Sequence, residues 1–353
     1  MRRAFFDSRQ PVSGGAGATL DRRHFCASLG ALALGTACRI GREEAPFPDA
    51  DAPTDMSVAA HGSGNATVVE VRWREAVDGY GKVNAAAVRA MLAAAMGRLV
   101  GDGSPFAEWA APQVKVGIKV NSMTSQAFTH PEVAGAVAES LVRAGASPSG
   151  VTVWDRDTAS LVRRGYVIDE TGASGYCCLG TNLTDPGASK RITVAGHEVV
   201  LSPLVEASDV LFNIAALKDH SMAGVTLSLK NNFGMLLSAM DLHGPITQGS
   251  GCEPGISDLA ARPEIRGRLA LAILDGLLAV CEGGPGPADP AHVFRYAGLL
   301  ASRDPVALDR RGLAIIEARR ALLGLPPLAE RTAPNPSPPV HIENAARKGV
   351  SPV

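Results

Sequence analysis

Lysine, histidine and amide side chains are dense between residues 213 and 234 of this 353-residue sequence. Lys218 and Lys230 can bind an anion, and the His220 imidazole can transfer protons or ligate a metal. Burying so many polar groups in an apolar stretch is costly unless they serve a purpose. We therefore predict that Lys218, His220 and Lys230 are catalytic. Thr226, which shares a helix face with Lys230 if this segment is helical, and Asn231 are predicted to bind the anion.

A second polar group lies at the junction of a predicted strand and a predicted helix. Lys119 and Asn121 close an apolar strand, and His130 precedes Pro131, which suits a first helical turn. Ligands gather beyond the carboxyl ends of strands in open α/β sheets, and helix N-termini offer N–H groups to anions. Taken singly, these residues also fit a solvated strand end, a turn and a helix cap. Together they predict a carboxylate or phosphate pocket containing Lys119, Asn121 and His130.

A divalent metal is a further hypothesis for this site. The imidazoles of His220 and His243 and the carboxylate of Asp275 are suitable ligands, with Glu282 as the alternative oxygen ligand. Their spacing forms no local motif, and His243 fits a turn equally well. We therefore expect a metal site only if the fold brings His220 and His243 together in the lysine-containing pocket.

The elements that must position these residues alternate between strands and helices. Strands are predicted at residues 67–73, 114–120, 151–154, 209–214, 269–274 and 294–301, with a hairpin at 191–201. Helices are predicted at residues 85–100, 131–142, 224–237, 306–323 and 343–348. This order predicts an α/β fold with a mostly parallel sheet flanked by helices. Two lobes, at about residues 66–190 and 191–353, would enclose a cleft.

The N-terminal segment predicts export. Arg22-Arg23 precede an apolar stretch at residues 25–37, which is shorter than the about 20 residues needed to span a bilayer. Such a segment is typical of a signal peptide, and the paired arginines indicate the twin-arginine route. Residues 1–37 are thus the expected signal peptide, 38–65 a flexible tether and 66–353 the α/β domain. The expected partner is the twin-arginine export machinery, and the expected location is periplasmic or extracellular.

Two fates of the exported chain stay open. Cleavage after Ala37 releases the protein, whereas lipid attachment at Cys38 would anchor it to a membrane.

Composition excludes a nucleic-acid footprint, because 34 basic residues balance 35 acidic ones without a clustered basic face. Four cysteines lie beyond residue 38, and none has zinc or iron–sulfur spacing: Cys177, Cys178, Cys252 and Cys281. We expect buried thiols, with a disulfide from Cys177 or Cys178 to Cys252 as the alternative.

Several motifs occur in a characteristic order. They are Gly117-Ile118-Lys119-Val120-Asn121, Thr129-His130-Pro131-Glu132-Val133, Leu217-Lys218-Asp219-His220, Gly224-Val225-Thr226-Leu227-Ser228-Leu229-Lys230-Asn231-Asn232-Phe233-Gly234, Leu274-Asp275-Gly276, Gly283-Gly284-Pro285 and Ser302-Arg303-Asp304-Pro305-Val306-Ala307-Leu308-Asp309. From about Val68 onward the sequence resembles the domain of unknown function 362 family. Many members of that family carry a ferredoxin-like iron–sulfur segment, whose cysteine runs this sequence lacks. The family is in turn distantly similar to the nickel-dependent lactate racemase group, two-domain α/β proteins with Lys and His around a metal-bearing cofactor.

The resemblance implies an α/β fold and no established reaction. The first hypothesis is therefore an enzyme that acts on a small anionic substrate, with or without a metal. The alternatives are a non-catalytic protein that binds a metal or an anionic cofactor, and a maturation or structural partner of another exported protein. A dense lysine–histidine pocket favours the first two.

Replacing Arg22 and Arg23 by Lys is expected to leave the precursor in the cytoplasm, because the export machinery recognises the arginine pair. Cell fractionation and immunoblotting measure the result. The matched control replaces Arg2 and Arg3, a second arginine pair outside the signal pattern. Unchanged export of the Arg22/Arg23 variant would contradict the assignment.

Overall fold

The computed structural model describes residues 45–351, apart from residues 63, 102, 124–125, 244–251 and 332–336. The predicted signal peptide and the first part of the tether therefore lie outside the described residues. The strands are β1 (Ser57–His61), β2 (Val68–Arg72), β3 (Val116–Lys119), β4 (Val151–Asp155), β5 (Cys177–Gly180), β6 (Arg191–Val194), β7 (His197–Val200), β8 (Val210–His220), β9 (Gly224–Val225), β10 (Leu269–Val280), β11 (Val293–Phe294) and β12 (Gly298–Ser302).

The helices alternate with these strands along the chain. They are α1 (Ala85–Val100), α2 (Pro131–Arg143), α3 (Thr158–Arg163), α4 (Pro203–Glu206), α5 (Leu227–Asn231), α6 (Gly255–Ala261), α7 (Pro263–Arg266), α8 (Pro305–Leu322) and α9 (His341–Arg347). Two of the predicted helix starts are explained by side-chain caps. Asn84 accepts hydrogen bonds from the first turn of α1, and Asp304 does the same for α8.

One central sheet has the strand order β1-β2-β12-β10-β8-β3-β4-β5. Strands β10, β8, β3, β4 and β5 are parallel, whereas β1, β2 and β12 are antiparallel to their neighbours. The prediction of an α/β fold with a mostly parallel sheet and flanking helices is confirmed. The hairpin β6–β7 forms a separate two-stranded sheet that turns at Ala195-Gly196.

Apolar side chains cover both faces of the central sheet. Helices α1 and α2 pack on one face, where Phe212 of β8 is buried. Helices α5, α6, α8 and α9 pack on the other face, where its neighbour Leu211 is buried. The alternation of strand side chains thus gives each helical layer its own core. Within the described part of the chain, no helix is long and apolar enough to cross a membrane.

The two expected lobes are not separate units. Strand β2 pairs with β12 and β3 pairs with β8, so the sheet repeatedly crosses the proposed boundary near residue 190. Residues from Ala45 onward cluster as one compact unit.

The thiols of Cys177, Cys178, Cys252 and Cys281 are buried, and none of them forms a disulfide.

Strands β8 and β10 extend well beyond their predicted ends at residues 214 and 274. The extended parts of both strands contain polar residues, which do not match the apolar pattern of a buried strand. The fold provides hydrogen-bond and ion-pair partners for these residues. Asp219, for example, accepts a hydrogen bond from Gly284 N at 2.7 Å and forms an ion pair with Arg331 at 3.0 Å. Lys218 and His220 therefore lie within a strand instead of following it. Asp275 lies in the middle of β10 and not at its end.

The helix predicted over residues 224–237 is also wrong in extent. Gly224 and Val225 form β9, which pairs with the end of β8. Helix α5 begins at Leu227, which itself has a positive φ of 47°, and a 3₁₀ turn follows the helix from Asn232. The predicted strand at 294–301 is likewise divided, because Ala297 has a φ of 52°.

Candidate functional site

A pocket of about 180 Å³ lies at the carboxyl ends of the parallel strands β3, β4 and β8. This is where open α/β sheets bind ligands. Side chains from the ends of these strands meet residues of α5 and of the turn after it. The lining residues are Lys119, Asn121, Met123, Asp155, Arg156, Lys218, His220, Thr226, Lys230, Asn231, Phe233, Gly234, Ala239, His243 and Pro285.

Lys119 and Asp155 form an ion pair in the wall of the pocket. Lys119 Nζ lies 2.7 Å from Asp155 Oδ1, and both side chains are 1% exposed. Burial raises the pKa of Asp155, but Lys119 and Ser122 outweigh it and hold the pKa below its usual value. A Cβ on Gly234 would approach Lys119 Nζ to 2.5 Å, so only glycine fits against the pair. The structure thus places Lys119 at the pocket with its charge already matched.

A chain of amide groups connects Lys218 to α5. Lys218 Nζ donates to Asn121 Oδ1 at 2.7 Å, and Asn121 Nδ2 donates to Asn231 Oδ1 at 2.9 Å. Asn231 Nδ2 then donates to Asn213 Oδ1 at 2.7 Å, and Asn213 Nδ2 donates to Asn232 Oδ1 at 2.9 Å. Because Asn121, Asn231 and Asn213 each donate and accept, each fixes the orientation of the next amide.

Lys218 lies in an environment that disfavours its charge. Its Nζ also donates to the backbone oxygen of Ala127 at 3.0 Å. Burial lowers the pKa of Lys218 to about 7, although the nearby Asp155 carboxylate acts in the opposite direction. Near neutral pH a substantial fraction of Lys218 is therefore the neutral amine, which can accept a proton.

His220 has a defined tautomer because backbone groups occupy one ring nitrogen. Met222 N and Ala223 N donate to His220 Nδ1 at 3.1 and 3.3 Å. Burial holds the pKa of His220 well below its usual value, and the positive charge of Lys230 adds to this. The neutral ring then carries its proton on Nε2. His220 is a hydrogen-bond donor at that atom and has no lone pair there for a metal.

Lys230 and His243 form a second polar pair. His243 Nδ1 donates to the Ala239 carbonyl at 2.7 Å, so His243 Nε2 can accept from Lys230 Nζ at 3.3 Å. Burial lowers the pKa of Lys230 to about 8 and that of His243 to about 4. Lys230 Nζ also lies 4.1 Å from the centre of the Phe233 ring. The structure thus places Lys230, His220 and His243 around the same pocket.

Two polar groups of the pocket lack a matching protein group. Lys230 is 7% exposed and forms no ion pair with any carboxylate of the described residues. Thr226 is 4% exposed, and its Oγ1 has no hydrogen-bond partner among the described groups. The sequence suggested that Thr226 shares a helix face with Lys230. The structure places Thr226 at the N-cap of α5, where its carbonyl accepts a hydrogen bond from Lys230 N at 3.3 Å. Both side chains nevertheless line the pocket.

His130 and Asp275 do not line this pocket. His130 N and His130 Nδ1 both donate to Asp275 Oδ2, at 2.8 and 2.9 Å. Burial lowers the pKa of His130, but the Asp275 carboxylate outweighs it and raises the pKa above its usual value. The anion at the start of α2 is therefore the chain's own Asp275, so His130 is not placed to bind an external one.

The predicted metal ligands are not assembled. Asp275 is engaged by His130, and His220 carries a proton on the nitrogen that would face a metal. Within residues 45–351, leaving aside the gaps named above, no group of three or more His, Cys, Asp or Glu side chains is arranged to hold a metal ion. The described lining of the pocket offers ammonium, guanidinium, amide, imidazole, hydroxyl and carboxylate groups.

Three positions in or next to the candidate site were missed from the sequence. Asp155 and Arg156 follow a buried strand just as Asn121 does, and that rule would have identified them. Asp309 gave no such signal, because it lies inside α8. Its carboxylate accepts hydrogen bonds from Ser228 N and Leu229 N at 2.8 and 2.9 Å, and thereby caps α5 from outside. Burial raises the pKa of Asp309 to about 7.

Comparison with known proteins gives a family and distant relatives. The family model described as Domain of unknown function (DUF362) matches residues 114–314. A thylakoid-associated protein of Synechocystis sp. is 27% identical over 238 residues, which cover 64% of this chain and 70% of that protein. The lactate racemase apoprotein from Thermoanaerobacterium thermosaccharolyticum is 11% identical with a TM-score of 0.39, over 77% of this chain and 62% of that chain. The last match spans less than two thirds of the racemase and supports no argument about the pocket.

Asp309→Asn is expected to loosen α5, because an amide presents a donor to one of the backbone N–H groups that the carboxylate now accepts. The free energy of unfolding should fall by about 1–3 kcal/mol. Hydrogen exchange of the α5 amides should accelerate. Asp304→Ala is the matched control, since it removes the cap of α8 and should accelerate exchange there instead. Unchanged exchange in α5 of the Asp309 variant would contradict the capping role.

Proposed function

This chain belongs to the DUF362 family, and we propose that its pocket binds a small anionic substrate and moves a proton to or from it. The observation that carries the proposal is the ammonium of Lys230, which is buried in the pocket without a carboxylate partner among the described residues. An unpaired buried charge is costly, so a site that retains one is suited to an anion supplied by a ligand.

Thr226 supports the same conclusion from a neutral group. Its hydroxyl is buried, lines the pocket and has no partner among the described groups. Buried hydroxyl groups almost always form a hydrogen bond. An anionic oxygen held by Lys230 would accept one from Thr226 as well, since both side chains line the same pocket.

The size of the pocket restricts the ligand. At about 180 Å³ it lies below the about 300–1,000 Å³ that is typical of sites for larger organic ligands. The lining side chains offer one aromatic ring, Phe233, and otherwise mostly polar groups. A compact carboxylate fits these dimensions and this chemistry better than a nucleotide or a lipid.

Lys218 supports catalysis in addition to binding. Its neutral amine would take a proton from the carbon next to the bound carboxylate, whose C–H electron pair stays on the substrate as an enolate. The resulting ammonium would later return a proton to that carbon. His220 Nε2–H would donate a hydrogen bond to the oxygen on which negative charge develops. Lys119, already paired with Asp155, would position the wall of the pocket.

Lys230→Met is expected to weaken the binding of acetate and lactate at least about tenfold, because a charged hydrogen bond is lost. Isothermal titration calorimetry at constant ionic strength measures this. Lys115→Met is the matched control, since Lys115 is exposed and lies outside the pocket. Anion binding that survives in the Lys230 variant would overturn the proposed site.

The affinity should also fall as the pH rises above about 8. Lys230 binds the anion as an ammonium, and its pKa in the free protein is about 8. At higher pH the ligand must first restore the proton, so the association constant falls by up to about tenfold per pH unit. A flat affinity profile between pH 7 and 9 would contradict this role of Lys230.

Proton transfer can be detected without knowing the product. In heavy water, small 2-hydroxy carboxylates should exchange the hydrogen on the carbon next to the carboxylate for deuterium, as NMR would show. The rate should rise as the pH passes through the pKa of Lys218, which is about 7 in the free protein and higher when an anion lies on Lys230. Lys218→Met should abolish the exchange while acetate still binds. Binding without exchange across the series would instead support a non-catalytic anion-binding protein.

A further inference from the structure

We propose that the ligand carries two anionic groups, and that Arg156 binds the second one at the entrance of the pocket. This inference rests on the proposed function and names its substrate class, a small dianion such as a short dicarboxylate. Lys230 would hold one anionic group in the interior, while Arg156 would hold the other nearer to solvent.

The first argument comes from the charges around the pocket. Its described lining contains four cationic side chains and one carboxylate, namely Lys119, Arg156, Lys218 and Lys230 against Asp155. The Lys119–Asp155 pair cancels internally. Lys218 Nζ is already held by two oxygen acceptors, Asn121 Oδ1 and the Ala127 carbonyl. Lys230 and Arg156 have no such acceptor among the described groups, and a monoanion could pair with only one of them.

The position of Arg156 gives the second argument. It directly follows Asp155 at the end of β4, and its backbone N–H donates to Asp155 Oδ1 at 2.7 Å. The side chain is half-buried and lines both the pocket and an adjoining groove. Met123, whose side chain is half exposed, lies beside it with Sδ 3.8 Å from Arg156 Nη2. Arg156 therefore marks the boundary between the pocket and solvent.

Arg156 has no carboxylate partner among the described residues. The weak contact of its guanidinium with Met123 Sδ leaves the planar fork, which binds carboxylates in a bidentate manner, available to a ligand. Its charge also acts on the interior of the pocket, where it contributes to the lowered pKa of Lys230 and of His243. Two like charges that disfavour each other in one cavity are both relieved by a ligand with two negative charges.

The difference in burial between Lys230 and Arg156 suits a ligand that spans the pocket from its interior to its entrance. Lys230 is 7% exposed, so it would fix one group in a dry environment where a single charge interaction is strong. Arg156 lies at the solvent-exposed end of the pocket and would select for ligands with a second anionic group. A substrate with an uncharged second end would leave the guanidinium without a partner and gain nothing from it.

The test compares carboxylates of equal length with one or two charges. Butyrate with succinate, and propionate with malonate, are titrated calorimetrically into the full chain and into Arg156→Gln at constant ionic strength. At least one dicarboxylate should bind about 10- to 100-fold more tightly than its monocarboxylate partner in the unchanged protein. Arg156→Gln should remove this preference, so that its loss of affinity is about tenfold or more larger for the dicarboxylate than for the monocarboxylate.

Arg163→Gln is the matched control, because Arg163 is exposed in the helix that follows and does not line the pocket. It should keep the full preference for dicarboxylates. Equal affinities for mono- and dicarboxylates in the unchanged protein would overturn the inference. So would a loss in Arg156→Gln that is the same for both classes, since that indicates only a general electrostatic effect.

The two proposals fail in different ways. If monocarboxylates bind and depend on Lys230, but dicarboxylates bind no better, the dianion assignment is wrong and the proposed anion site stands. If neither class binds to the unchanged protein, the proposed function itself is wrong.

Discussion

The rest of the site depends on a buried ion pair between the ends of two neighbouring strands. Lys119 ends β3 and Asp155 ends β4, and their charged groups meet at 2.7 Å with almost no exposure. Removing both charges from water is costly, and the two hydrogen bonds from Ser122 to Asp155 offset part of that cost. Losing either partner would leave an uncompensated buried charge, at a cost of about 3–5 kcal/mol. Because the charges are stable only while they are paired, the pair holds the ends of β3 and β4 in one arrangement.

Helix α5 is held against that wall by contacts from three directions. Asp309 of α8 caps its first turn, the amide chain connects Asn231 to the sheet, and Gly234 lies against Lys119 just beyond the helix. A five-residue helix is too short to be stable alone, so these tertiary contacts must maintain it. Lys230 is part of this helix. Its ammonium is therefore positioned by the core of the protein and not by a mobile surface loop.

The sequence predicted the sheet well because strand alternation and helix caps are local signals. Asn84 and Asp304 mark helix starts through hydrogen bonds within their own first turns. It failed where polar residues continue a strand, as at Asp219, because their partners are distant in sequence. The same holds for the site. That polar residues follow strands could be inferred, but the pairing of His130 with Asp275, 145 residues later, could not. The tautomer of His220 likewise depends on a turn whose shape no pattern encodes.

Burial lowers the pKa values of the pocket lysines, so the charge of the pocket changes when an anion binds. The same desolvation lowers the pKa of Lys218 to about 7 and of Lys230 to about 8, so both groups titrate close to neutral pH. Lys230 also lowers the pKa of Lys218 through its charge. An anion placed on Lys230 would cancel part of this effect and would make Lys218 more basic. Binding would therefore strengthen the base at the moment when substrate is present, while it makes the neutral form rarer. Because the pKa of Lys218 is already lowered towards 7 in the free protein, it can rise on binding and still lie close to neutral pH. This is the physical reason why the base should be buried beside the anion-binding group and not exposed at the entrance.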